Sequence, residues 1–534
     1  MRRSTHIVLI CAVAALIFAG DAQAYTCDCK TSGNWSNTST WQNCGGGIPG
    51  AADDVTIKSG RTVTVDITTA QCDNLQISAG GFGNSGTLVF NAGSQLTMSG
   101  TLSFFQNLFS WASLDMSNGG TLNCAKWTGG LFGSFSCGTG KVKFTGTSFA
   151  LPWNLFMLQF YDLEVATSGN LNLVLGIEIL NDLTISSGTL NAASFDIDIG
   201  GNWNNTGGSY SASNNTVTFN GTGTRYIRSA GSAYEDLTIN KSSGNLNLLD
   251  DVTINDNLGF SSGHLILDTY DVTMNTISGA GTSRHIVTNG TGNVQKPALT
   301  GAFTFPVSNS TGTYNPLTLN NSGTSGRFDV RACTNVFDDG TCGGTQLVTK
   351  LANVTWQLAT TSPAPSVSII AQWDAAQESS DFDRSQSFIS IYNGGSWNQQ
   401  GSPSSSSGSG PYTQSYGAVS ALGPVAVGGG IGGPLPIELL SMEAVQAGKD
   451  VLVNWTTASE INNHYFTLES ATGSATTIKP EFHLIGTIPG SGNSTWPIPY
   501  SFLDTTPSPG QDVDWVYYRL WQTDLTEQPP SAIP

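Results

Sequence analysis

Charged side chains are scarce in this chain. Only 11% of its 534 residues are Asp, Glu, Lys or Arg, and 20 basic residues face 38 acidic ones, a net of −18. A surface of that sign repels phosphate backbones and anionic headgroups, which argues against nucleic acid and acidic membranes as partners. Histidine is rarer still, at 5. The chain contains no His-Glu-x-x-His helix and no phosphate-binding glycine loop. No apolar run approaches the roughly 18 residues that a membrane span needs, and no segment carries helical periodicity. What is abundant is Gly, 63 residues, alongside many Ser, Thr and Asn. That is the composition of turn-dense extracellular β proteins. With 39% hydrophobic residues the chain still has enough apolar surface to bury cores.

Met1-Arg2-Arg3, the apolar run Ile7–Ala19 and then Ala22-Gln23-Ala24 read as a secretory leader, residues 1–24, with Tyr25 opening the mature chain. Cys11 lies inside the run and not just after it, so no lipoprotein anchor is expected. Removing the leader leaves 18 basic residues against 37 acidic, a net of −19. The prediction is a secreted or cell-surface protein.

Beyond the leader stand Cys27, Cys29, Cys44, Cys72, Cys124, Cys137, Cys333 and Cys342. An even set in an exported chain points to disulfides, although eight cysteines allow 105 pairings. Cys333 and Cys342 flank the turn signal Asp338-Asp339-Gly340 and are expected to bridge; Cys124 with Cys137 is the next expected pair. Cys27-x-Cys29 has no histidine near it, so a zinc site is not expected.

The strongest signal is internal repetition. Tyr161-Asp162-Leu163-Glu164-Val165 returns as Glu235-Asp236-Leu237-Thr238-Ile239. Asn170-Leu171-Asn172-Leu173 returns 75 positions later as Asn245-Leu246-Asn247-Leu248, and Phe195-Asp196-Ile197 as Tyr270-Asp271-Val272. Alternating strands at a fixed period mean stacked coils, and 75 residues suit roughly three turns of 20–29. About 230 residues then give about ten turns, a rod near 50 Å at about 4.8 Å per turn.

The expected fold is all-β: a right-handed parallel β-helix, or solenoid, followed by two β-sandwich domains. A Trp-rich N-terminal cap is expected at 25–59, the β-helix at 60–298, a linking sandwich at 299–427, a Gly/Pro linker at 428–435 and a second sandwich at 436–534.

The last of these segments carries a resemblance. Pro434-Leu435-Pro436-Ile437-Glu438-Leu439-Leu440, then Trp455-Thr456-Thr457-Ala458-Ser459-Glu460-Ile461-Asn462-Asn463, resembles a module common in Bacteroidota surface proteins. The match continues through Phe466, Glu469-Ser470, Ile485-Gly486, Gly490-x-Gly492-Asn493-Ser494, Tyr500-x-Phe502-x-Asp504 and Tyr517-Tyr518-Arg519-Leu520. The module is fibronectin type III-like and normally precedes a type IX secretion sorting domain, so the resemblance implies a location more than an activity. The family continues with an Asp-x-Asp-Gly turn and one more strand; here Asp524-Leu525-Thr526-Glu527 is followed by prolines, and no sorting domain follows Pro534. A released, periplasmic or truncated protein is therefore expected in place of one anchored by that route. Trp41, Ile48-Pro49 and Asp53-Asp54-Val55-Thr56-Ile57 look like the start of an eight-glycine domain or related cap, and Phe305-Pro306-Val307 with Tyr314-x-Pro316-Leu317 resembles a linking sandwich.

Few residues offer chemistry. Glycoside hydrolysis needs two carboxylates about 5–9.5 Å apart, yet Asp53-Asp54, Asp250-Asp251 and Asp338-Asp339 are strand or turn neighbours whose side chains diverge. Asp196 and Asp271 occupy equivalent repeat positions, so part of the acidic pattern belongs to the repeat itself. His264 stands where the earlier copy has Thr189, as an exposed, tolerant position would permit. Asp338 and Asp339 are candidate oxygen ligands for Ca2+, with turn capping as the plainer reading; no other cofactor is expected. Trp397 and Trp496 are candidate sugar-stacking residues against the commoner role of core anchor. Asn170, Asn172, Asn245 and Asn247 alternate with leucines, as an outer hydrogen-bonding surface or an internal amide ladder.

The reading is a non-enzymatic exported or cell-surface structural or adhesion protein presenting a long β-helical surface to extracellular glycans or other surface proteins. Its rival is a carbohydrate-binding or polysaccharide-degrading β-helix protein, a glycoside hydrolase or polysaccharide lyase.

Overall fold

The computed structural model describes residues 23–524 apart from 82, 106–110, 130–133, 153–156, 431–438, 458–459, 474–480, 495 and 506–514. The leader expected at 1–24 and the linker at 428–435 therefore lie, except for Gln23, Ala24 and 428–430, outside the described residues. The chain is nearly all β, 58% strand, with no α-helix among the described residues. It divides into two compact units, Met1–Ser243 and Gly244–Pro534. Parallel coils occur in both, about 11 turns in all.

In the first unit, strands of four residues or so alternate buried and half-exposed positions, then turn a corner. Successive coils pair in parallel, so each inward side chain rests on its counterpart one coil earlier. Val55 lies beside Leu75, Leu75 beside Leu102 and Leu102 beside Trp127. Farther along, Ile177, Ile197, Val217 and Leu237 form one column at a step of 20 residues. All four are fully buried. Burying such a side chain stabilises by about 1.5–3 kcal/mol, and the column repeats that gain at every coil.

The repeat offset is not a whole number of coils. Leu163 pairs with Leu183 in one stack of strands, whereas Leu237, its counterpart in the later copy, pairs with Val217 in another. With coils of 20 residues, an offset near 75 carries a segment on to a different face. A short run alternating apolar and polar residues serves on any face, because each face asks only for period two.

The expected cap at 25–59 is itself coil. Thr26–Cys29 pairs in parallel with Asp54–Ile57, and Gly33–Asn34 with Thr62–Val65. The exposed side of Thr26–Cys29 is covered antiparallel by Trp41–Gln42. Trp35 and Trp41 are buried edge to face at 5.0 Å, and Trp41 Nε1 donates to the Trp35 carbonyl at 2.9 Å. This plugs the end coil and shields a strand edge that would otherwise invite further pairing.

In the second unit, Leu246, Leu265, Ile286 and Val307 continue the same kind of column. The expected boundary at 298/299 is not a break in the sheet, because Val294–Lys296 pairs antiparallel with Phe328–Thr334, the first strand of the sandwich sheet. That sheet runs on through Val354–Thr360, Val425–Gly429, Ser387–Asn393 and Ser396–Ser404. The second layer is Gly301–Phe305, Leu317–Asn321, Val367–Trp373 and Tyr412–Val419, with Trp356 and Trp373 fully buried. The C-terminal module has two antiparallel sheets of three strands. One holds Leu439–Ala447, Asp450–Thr457 and Ile498–Asp504; the other holds His483–Ser494, Glu460–Gly473 and Trp515–Asp524. Val453, Trp455, Phe466 and Leu468 form its core.

The expected Cys333–Cys342 bridge is present, and a second joins Cys27 to Cys44. The expected Cys124–Cys137 bridge is not formed. Cys124 ends a strand stacked on Lys141–Phe144, Cys137 opens the turn after Ser134–Ser136 in a different stack, and each is a free, buried thiol. Burial pushes the Cys124 thiol up to about 12 and raises that of Cys72, which suppresses the nucleophilic thiolate. A chain starting at Tyr25, kept unreduced, is thus expected to show no fast-reacting thiol to Ellman's reagent when folded and four in denaturant. A rapid reaction in the folded state would contradict this packing.

Candidate functional surface

Inward positions are apolar, so polar side chains collect at corners and on outer faces. Their first role is to tie one coil to the next. Asp162 Oδ1 accepts from Asn181 Nδ2 at 2.8 Å and from the Asp182 amide at 3.0 Å. Asp182 Oδ1 accepts from the Asn202 amide at 2.8 Å and from its Nδ2 at 2.9 Å. Asn202 Oδ1 then accepts from the Tyr226 amide at 2.9 Å. Asp196 does the same for the Thr216 amide, and in the second unit Asp251 does so for the Asp271 amide. Asp271 in turn holds Asn293 and Gln295. The repeated acidic residues thus form a corner ladder that satisfies backbone donors between strands.

The alternating asparagines of the first unit lie outside the coil. Leu171 and Leu173 are buried, while Asn172 is half-exposed and its Oδ1 accepts from Asn191 Nδ2 at 2.8 Å. Glu164, also on the outward side, is only 8% exposed. Lys141 Nζ reaches its Oε2 at 2.6 Å, Lys143 Nζ its Oε1 at 2.7 Å, and Ser186 Oγ donates to Oε1 at 2.9 Å. Burial alone would raise its pKa, but these partners bring it down to about 2.

One outer column differs. Glu178 and Asp198 are directly opposed across neighbouring coils. Their partners are neutral: Gln159 Nε2 donates to Glu178 Oε2 at 2.6 Å, and the Thr218 hydroxyl bonds Asp198. Burial first, then Glu178 and Asp196, raises the Asp198 pKa. Sequence inspection passed this pair over because its members stand 20 positions apart, and only the coil length brings them together.

Of the expected ligand residues, Trp397 is a core anchor. It is 5% exposed, packs with Val336, Leu351 and Ala426, and donates from Nε1 to the Phe337 carbonyl at 2.7 Å. Its strand pairs with Ser387–Asn393, which turns the indole inward. Trp496 stands 77% exposed in the connection before Ile498–Asp504.

Asp338 and Asp339 cap their own turn. Asp338 Oδ1 accepts from the Thr345 amide at 3.2 Å, and Asp339 Oδ1 from the Thr341 amide at 3.0 Å and hydroxyl at 2.8 Å. The Thr341 bonds lower the Asp339 pKa. No cluster of three metal-ligating side chains occurs among the described residues. No helix among them is long and apolar enough to cross a membrane.

His264 is not the exposed position that its place in the repeat suggested. Its ring meets the fully buried His285 at 4.6 Å, and its Nε2 is buried without a hydrogen-bond partner. His285 lies between the Gly281 and Ser310 carbonyls, against Tyr314.

The residues that carried the C-terminal resemblance build a buried polar knot. The Glu460 carboxylate, 1% exposed, accepts from Thr457 Oγ1, Asn463 Nδ2, the Ser491 amide and the Tyr500 hydroxyl, at 2.9, 2.8, 2.9 and 2.5 Å. Four donors on one carboxylate pin the two sheets' connections together, which is a structural task.

Compared with protein-family models, curated proteins and solved structures, the chain matches none. The site must be judged on its geometry.

Two outcomes follow from the charges. Glu164→Gln leaves two lysines facing a neutral amide and is expected to cost about 1–3 kcal/mol at pH 7, less than a fully buried pair because both lysines reach solvent. The Glu164 contribution is present above its ordinary 4.5 and lost as pH falls through about 2, so chemical denaturation at pH 7 and pH 3 should show the gap between variant and wild type narrowing with acid. The buried histidine also costs stability with acid, in a higher pH window. Burial, then His285, lowers the His264 pKa to about 4, so the unfolded chain binds this proton first and stability declines as pH drops from 6.5 towards 4. Melting curves at pH 7.5 and 4.5 should show a smaller acid-induced drop in His264→Phe than in wild type.

Proposed function

We propose that this chain is a non-enzymatic exported or cell-surface protein, structural or adhesive, that works through the outer faces of its coils. One observation carries the reading: the repeated Asp and Asn residues bond neighbouring coils, leaving broad half-exposed rows of Asn, Thr and Ser between them. Such rows bind by area and many weak hydrogen bonds, as an adhesive or scaffolding face does, and converge on no single reacting atom. The C-terminal module supports an extracellular setting. Its two antiparallel sheets of three strands support the reading of a fibronectin type III-like module resembling those of Bacteroidota surface proteins. The two disulfides fit an oxidising compartment.

A carbohydrate-directed reading has its own observation, the Glu178–Asp198 pair with one raised pKa, to which the exposed Trp496 adds a separate stacking surface. Purified 25–534 chain, applied to a glycan array and incubated with a panel of polysaccharides, separates the two. The expected result is no turnover, with any glycan binding weakened by Trp496→Ala if that ring takes part. Turnover abolished by Asp198→Asn, with the fold intact by circular dichroism, would overturn the non-enzyme reading.

A further inference from the structure

The start of the first coil holds a buried carboxylate aimed at a backbone nitrogen. Asp53 is 6% exposed, and its two carboxylate oxygens are divided between two main-chain donors. Oδ2 accepts from the Gly50 amide at 2.8 Å and Oδ1 from the Tyr25 nitrogen at 2.8 Å. Tyr25 is held on both sides of that nitrogen. Its carbonyl accepts from the Asp54 amide at 2.9 Å, and its ring lies over Gly45, where a Cβ would stand 2.6 Å from the ring. Gly45 also has φ +60, so glycine is required there twice over. Two residues on, Cys27 is bridged to Cys44. Gln23 and Ala24, by contrast, are exposed. A well-seated residue thus follows directly on an accessible peptide bond, with a buried carboxylate waiting at the junction.

We propose that the Ala24–Tyr25 bond is a processing site, and that Asp53 is the receptor for the α-ammonium group that its cleavage creates. Water adds across the amide under an external processing peptidase; Ala24 leaves with the new carboxylate and Tyr25 keeps the nitrogen, protonated at neutral pH. In the uncleaved chain Asp53 receives one neutral amide N–H, while in the cleaved chain it receives a cation at the same place, a charge-assisted bond roughly twice as strong. Removing the leader therefore locks the first coil, and with it the Trp35–Trp41 plug. The inference rests on the leader read at residues 1–24 and is independent of what the outer faces bind.

The test uses the full mature chain with defined ends: one preparation starting at Tyr25, one starting at Ala24, and Asp53→Asn in each. The Tyr25 start is expected to melt about 2–4 °C above the Ala24 start, with the difference absent in the Asp53→Asn pair. In the Tyr25 start, the α-amine should react about tenfold more slowly with an acylating reagent at pH 7.5 than in its Asp53→Asn counterpart, as one unit of α-amino pKa would give. The Ala24 start keeps every side chain in place, so its comparison stands even if Asp53→Asn folds poorly. Equal melting of the two starts in wild type, or equal α-amine reactivity with and without the Asp53 carboxylate, would overturn the proposal.

Discussion

Stacking of like upon like in parallel register is the interaction on which the rest depends. Because successive coils of the first unit repeat after 20 to 27 residues, an inward leucine or isoleucine finds a similar side chain one strand spacing, about 4.8 Å, away. The interior is thereby filled by columns, and polar residues are confined to corners and outer faces. The few inward exceptions obey the same rule. Asn205 is fully buried in line with Ile185, and it is tolerated because its Oδ1 accepts from the Gly207 and Gly208 amides while its Nδ2 donates to the Ser229 carbonyl. At this position the buried amide is satisfied by serving the backbone.

A stack built this way has ends, and each unit deals with an open edge in its own manner. At the start of the first unit, two tryptophans and an antiparallel two-residue strand close the edge. In the second unit the coil strand Val294–Lys296 is taken up antiparallel by Phe328–Thr334. The change from parallel to antiparallel pairing stops the stack without leaving unpaired amides. The sandwich sheet is thus a terminator for its own coils, and strands hydrogen-bond across the change in composition near 298/299.

Much of this was legible in the sequence, and the failures have physical reasons. Alternation of apolar and polar residues survives any corner, so the leucines of the repeat, Leu163, Leu171, Leu173 and Leu237, announced inward positions that the structure buries. The number of coils per repeat was not legible, because Leu163 and Leu237 satisfy the same local pattern on different faces. Cysteine pairing failed at Cys124 and Cys137 because nearness along the chain means little when 13 residues can cross from one stack to another. Trp397 sits in a Gly-Ser context that suggests a loop, yet its strand register points the ring into a core. His264 looked dispensable beside Thr189, but burial there depends on the contact with His285, which no local pattern records.

The same register explains how the acidic residues should be weighed. Any residue type that recurs at the coil length is placed beside itself, so recurring carboxylates would repel along a column unless each were given a donor. Corner aspartates meet that condition, since Asp162 and Asp182 each receive a backbone amide and an asparagine side chain from the following coil. Glu164 meets it with two lysines. Glu178 and Asp198 meet it only with a glutamine and a threonine, and directly opposed like charges on adjacent strands are destabilising. The stack therefore gains little from keeping both as acids: glutamine or asparagine would fit the same column with less repulsion. Unlike Asp162, Asp182 and Glu164, this pair has neither a backbone amide nor a cation among the described residues to offset it.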